Sequence, residues 1–302
     1  MDQAAGLLGE LGILFRLAAG EGGGGEHPRS LAVRRGAFRL TIRAVETDPG
    51  DETMDLHQLP VDNGFRLRGS SVTRVETFVD AAFAFAVTLL VVSFGAMPET
   101  FAELYEALRR FPAFIAGFAI LALFWHAHYR FCRRLGLENT GVVVLSLALV
   151  ATALFYVYPL RMVMSAAMHF MTAGWAPSEF RVESFAEFRL IFVIYGVGFA
   201  TLAMLVVILN RHGLRKASEL GLDAAERLIL RSEVVVHAVY IGCAVLSMVL
   251  ALLLPEGQGW WLALPGLAYG LMAVILPAYG YRVGRRVDAR LAERDASEKG
   301  AS

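Results

Sequence analysis

Arg74-Val-Glu-Thr-Phe78-Val-Asp80-Ala-Ala-Phe-Ala-Phe85-Ala-Val-Thr88-Leu-Leu-Val-Val92-Ser is the stretch whose reading decides the fold. From Phe78 to Ala96 only Asp80 is charged, and about 20 apolar residues suffice for one helical crossing of a bilayer. A carboxylate in such a run is costly unless it is paired or reaches the interface. Asp80 therefore marks either a functional site or an interfacial carboxylate held by a neighbouring Arg or His. At helical period Ala81, Phe85, Thr88 and Val92 form one stripe, for which an ordinary packing face is the plainer account. Thr88 can bond back to the carbonyl one turn earlier. Arg74 and Asp80, six residues apart, lie on different faces, so Asp80 needs a partner from another helix.

Working outward, the 302-residue chain is 56% hydrophobic and only 19% charged, a balance that fits a membrane protein better than a soluble domain. Lys+Arg and Asp+Glu are both 28, so no basic surface for nucleic acid is implied. Five further apolar runs follow the first, at about Pro112–Phe131, Val142–Met164, Phe188–Asn210, Val234–Leu254 and Trp260–Tyr281. They are uniformly apolar, which excludes the alternation of membrane strands. The expectation is an all-α polytopic membrane protein with six transmembrane helices, none of them visibly broken at mid-membrane. Basic residues gather after the second, fourth and sixth runs, as Arg130, Arg133 and Arg134, then Arg211, Arg215 and Lys216, then Arg282, Arg285 and Arg286. The positive-inside rule then places both termini in the cytosol.

Residues 1–70 read as a cytosolic, disordered tail around the linker-like Gly20-Glu21-Gly-Gly-Gly-Gly25, with Met54 as an alternative natural start. Residues 71–286 read as the six-helix domain and 287–302 as a C-terminal tail. Within Asn210–Glu233, Asp223 caps an amphipathic cytosolic helix with Leu222, Ala225, Leu228 and Ile229 on one face and Glu226, Arg227 and Arg231 elsewhere. Cys132 and Cys243 read as free thiols without metal-ligand neighbours. No GxSxG, P-loop or HExxH occurs, Asp80 has no second intramembrane carboxylate, and neither an enzyme nor a cofactor is expected.

The second run ends Phe124-Trp125-His126-Ala-His128-Tyr129-Arg130, at the depth of Asp80. Trp125 and His128, three apart, face the same way, and His128 or Arg130 is the expected partner of Asp80. Together these motifs resemble the transmembrane protein 175 family, potassium-permeable channels with shorter six-helix prokaryotic members. The family opens its first helix with Arg-x-x-x-Phe-Ser-Asp, matched by Arg74, Phe78 and Asp80, and ends its second with Trp-x-x-His and basic residues, matched by Trp125, His128 and Arg130.

The resemblance implies a homotetramer whose pore is lined by four first helices. It carries the apolar constriction over to Phe85 and the following hydroxyl to Thr88, with Ala81 and Val92 on the same lining. It also makes Arg74, Phe78, Asp80, Trp125, His128 and Arg130 a structural network. Val79 stands where the family has Ser, and Phe85 where it has Leu or Ile. The leading reading is a passive channel for potassium or other monovalent cations in a prokaryotic plasma membrane, partnered by its own copies and the lipid bilayer. A non-conducting scaffold or regulatory protein on the same fold is the alternative, and a secondary transporter ranks third.

Overall fold

The computed structural model describes residues 59–92, 98–178, 182–257 and 259–301, the side chains of 295 and 297–301 excepted. A two-stranded hairpin, β1 (Val61–Asp62) and β2 (Phe65–Arg66), leads into α1 (Arg74–Val92). Then come α2 (Phe101–Leu135), α3 (Thr140–Met171), α4 (Phe185–Arg215) and α5 (Ala224–Leu253). A 3₁₀ turn at Trp260–Ala263 precedes α6 (Leu264–Gly270) and α7 (Met272–Ala301). Among the described residues six segments are long and apolar enough to cross a membrane, the last being Trp260–Arg294.

The helices outrun the apolar runs because capping residues, and not hydropathy, set their ends. Thr100, Asn139, Ser184 and Asp223 each accept a backbone N–H of the first turn, satisfying groups a helix start leaves without partners. Hence α2 begins eleven residues before Pro112 and carries that proline inside it. The cytosolic helix expected after Asp223 is the start of α5 itself: the cap is where the sequence places it, but the helix runs unbroken to Leu253. Glu226, expected off the apolar face, is fully buried.

The sixth span tightens at one turn but stays right-handed helical through it, with Leu271 at φ −59° and ψ −27°. Leu271 forms a turn between α6 and α7 beside Gly270, the residue type least favourable to a helix after proline. Residues 287–301 continue α7 instead of forming a separate tail. Val287, partly buried, packs against the core at the basic end, and Arg294 bonds the Gly64 carbonyl (3.4 Å) and Asp223 (3.2 Å).

Residues 59–70 likewise belong to the packed unit, against the expectation of a tail to residue 70; residues 1–58, Met54 included, lie outside the described residues. Asn63-Gly64 makes the hairpin turn, with φ +47° and +79°, the left-handed pair that a two-residue type I′ turn demands. Val61 pairs with Arg66 and Asp62 with Phe65. Phe65 is fully buried with Phe131, Leu135, Leu209 and Leu230 in the core at this end. The main core joins Val79, Phe83, Ala86 and Leu90 of α1 to α2, α3, α4 and α5. Its centre is aromatic, with Phe199 edge-on to Phe124 and Tyr269 at centroid distances of 5.3 and 5.4 Å. Of the small-residue pairs, Gly196 lets Met248 of α5 close in, whereas Gly266 and Gly270 have nothing near them.

Candidate functional site

α1 starts because Thr73 and Glu76 cap it reciprocally. The Glu76 N–H donates to Thr73 Oγ1 (3.1 Å) and the Thr73 N–H to Glu76 Oε2 (2.7 Å). Its buried stripe is Glu76, Val79, Phe83, Ala86 and Leu90, at spacings of three and four. On the opposite face Ala81, Phe85, Thr88 and Val92 are all exposed, Phe85 at 55%. The stripe is therefore not a packing face within the chain. Thr88 Oγ1 donates to the Ala84 carbonyl at 3.0 Å, the local bond expected of a hydroxyl inside a membrane helix.

Asp80 does not meet His128 or Arg130. Its partner is Trp125, whose indole N–H donates to Asp80 Oδ1 at 2.8 Å. A two-ring side chain reaches across from α2 where imidazole one turn further on cannot. His128 turns inward instead, 2% exposed, and pairs with Ser146 of α3 (2.8 Å). Arg130 binds Glu233 of α5 at 3.1 Å. Arg74 is exposed and has no polar partner among the described residues, and Phe78 is also exposed. Of the six expected network residues, the fold brings only Asp80 and Trp125 into contact. The others brace different helix pairs or face outward.

The larger polar constellation lies at the basic end. Arg133 donates to both oxygens of Glu76 (2.8 and 2.6 Å), tying α2 to the start of α1. Arg68, with a side chain 2% exposed, holds both oxygens of Glu226 (3.0 and 2.9 Å). It also donates to the carbonyls of Leu220 and Arg66 (both 2.9 Å). Arg66 and Arg294 share Asp223, and Arg130 and Arg134 share Glu233. Burial pushes the Asp223 carboxyl up, but the Glu226 N–H, Arg294 and Arg66 outweigh it and hold the group below its ordinary range.

The segment before α1 also closes the end of α2: the N–H groups of Arg68 and Gly69 donate to the carbonyls of Arg134 (3.4 Å) and Arg133 (3.0 Å). A Cβ on Gly69 would stand 2.5 Å from the Cys132 carbonyl, so only glycine allows that approach. Two signals for this belt were present, the Thr73-x-x-Glu76 capping box and Asn63-Gly64. The pairings across more than 150 residues had none.

Six membrane-length helices around a common core, with one apolar stripe of the first helix left uncovered, define a polytopic α-helical membrane protein. The family model described as "Endosomal/lysosomal potassium channel TMEM175" matches residues 74–156, the region of α1, α2 and half of α3. A protein of Marivirga tractuosa named "Potassium channel" is 29% identical over 232 residues, covering 75% of this chain and 93% of that one. The crystal structure of a threonine-to-alanine variant of the potassium channel MtTMEM175, bound to a nanobody–MBP fusion, superposes with a TM-score of 0.63 at 27% identity. It covers 75% of this chain and 100% of that one. The chain is thus similar to the TMEM175 potassium channels, as the motifs of its first two helices lead one to expect. That is a family of channels and not a class of enzymes.

Proposed function

We propose that four copies of this chain form a passive, potassium-permeable channel, with both termini in the cytosol and α1 of each copy facing the axis. The carrying observation is the two-sidedness of α1: Val79, Phe83, Ala86 and Leu90 are buried in the protomer, while Ala81, Phe85, Thr88 and Val92 are left bare. Arranged about a four-fold axis, that bare face becomes a lining, and Phe85 its widest side chain near mid-membrane. An apolar ring of this kind gates by expelling water, with a barrier that falls steeply as the radius grows. Membership of potassium channels among the similar proteins supports potassium as the ion.

Potassium flux into liposomes reconstituted with the purified protein, beside sodium and beside Phe85→Ala, tests the reading. Potassium-favouring flux that rises by about tenfold in the variant is expected, equivalent to a barrier lower by about 1.4 kcal/mol. Folded protein that leaves liposomes tight in parent and variant alike would sink the channel and leave a non-conducting scaffold.

A further inference from the structure

Between the segment that enters α1 and the turn from α2 to α3 lies a cavity of about 370 Å³. Ser70, Ser71, Arg74 and Arg133 supply its polar wall, Glu138 the one carboxylate, and Val142 and Val143 an apolar floor. Its donors are largely unspent. Arg74 has no partner among the described residues, and the hydroxyls of Ser70 and Ser71 have none there either. Arg133 uses only Nη2, on the Ser71 carbonyl and Glu76, which leaves Nε and Nη1 available. Arg68, at the back, is saturated by Glu226 and backbone carbonyls and serves to hold the wall in place.

Depth in the membrane narrows the ligand. The 19 residues of α1 rise by about 28 Å in all, close to the roughly 30 Å of a hydrocarbon core. Arg74, the first residue of α1, therefore sits at the level of the lipid headgroups, and the cavity with it. Two guanidinium groups and two hydroxyls facing one space match the oxygens of a phosphate group, which guanidinium binds through short, charge-assisted hydrogen bonds. The valine floor suits the glycerol and first methylenes of an acyl chain.

We propose that this cavity is a binding site for a phosphate group, that of an anionic lipid in the leaflet at the basic end of the bundle or of a free phosphate solute. Arg74 and the second edge of Arg133 hold its oxygens, and Ser70 and Ser71 donate to them. Glu138 opposes the ligand and sets an upper limit on affinity.

The test is a calorimetric titration of the purified full-length protein in a neutral detergent. Short-chain phosphatidic acid, short-chain phosphatidylcholine and inorganic phosphate serve as the three probes. Saturable binding of phosphatidic acid is expected, weakened about tenfold by Arg74→Ala, as the loss of a charge-assisted hydrogen bond implies. Weakening by Ser70→Ala with Ser71→Ala, and tightening by Glu138→Gln, are expected alongside. Because Arg74 is exposed and makes no polar contact among the described residues, its alanine variant is expected to keep the fold, which circular dichroism verifies. Phosphatidic acid binding well above inorganic phosphate identifies a lipid headgroup; equal binding of the two identifies a solute. Binding that is absent, that does not saturate, or that Arg74→Ala and Glu138→Gln leave unchanged overturns the site.

Discussion

Arg68 and Glu226 face each other with side chains 2% and 0% exposed, at 2.9 Å. A buried pair of this kind gains little over an apolar pair, but removing one partner strands the other without water. Glu226→Ala is therefore expected to lower stability by roughly 3–5 kcal/mol. Arg68→Met with Glu226→Leu should recover only part of that loss, because Glu226 also accepts the Arg66 and Asp223 N–H groups (2.9 and 3.0 Å). Chemical denaturation in detergent reads both; a single variant as stable as the parent would show that water reaches Arg68. The same scale decides the partner of Asp80. Depth and sequence order put Trp125, His128 and Arg130 all within range of it, and only side-chain reach and the rotation of α2 chose Trp125 (2.8 Å).

At the scale of elements, the hairpin, the α4–α5 turn and α7 meet on Asp223, which caps α5 while pairing with Arg66 and Arg294. A carboxyl held below its ordinary value in the folded state stabilises fully above its unfolded value, about 3.9, and that contribution fades as pH falls through the lower folded value. Acid should thus release the hairpin and the end of α7 first. Hydrogen exchange at residues 61–69 and 286–294 is expected to quicken as pH drops from about 5 towards 3, after correction for intrinsic rates. Asp223→Asn should abolish that pH dependence; exchange that stays pH-dependent in the variant would assign the effect to another group. The helices of this assembly were readable from hydropathy, while their true ends were readable only from caps. The hairpin leaves little mark in the sequence, because two residues per strand are too few for an alternation to register, although Asn63-Gly64 names the turn.

At the scale of the whole molecule, one protomer leaves the α1 stripe bare on a span flanked by its own helices on the other side. Closed rotational symmetry is the common way for identical chains to cover such a face. The detergent-corrected mass from light scattering is expected at four times the 33.0 kDa chain. Ala81→Cys should give cross-linked species up to four chains with a short thiol reagent, since Cys132 and Cys243 are buried. A dimer, or no cross-linking above background, would exclude α1 as the lining of a four-fold pore.

Sequence by itself determined the membrane class, the number of crossings, the stripe on α1 and the kinship of the first two helices. Each of these is a local property, set by hydropathy over about 20 residues, by the 3.6-residue period, or by short motifs. The partners of Asp80, Glu226 and Glu233, the burial of Phe65 and the junction of residues 59–70 with α7 were decided only by tertiary structure. An ion pair forms wherever packing happens to bring its halves within reach. Arg68 and Glu226, 158 residues apart in the chain, have no period or spacing that would join them before the helices are assembled.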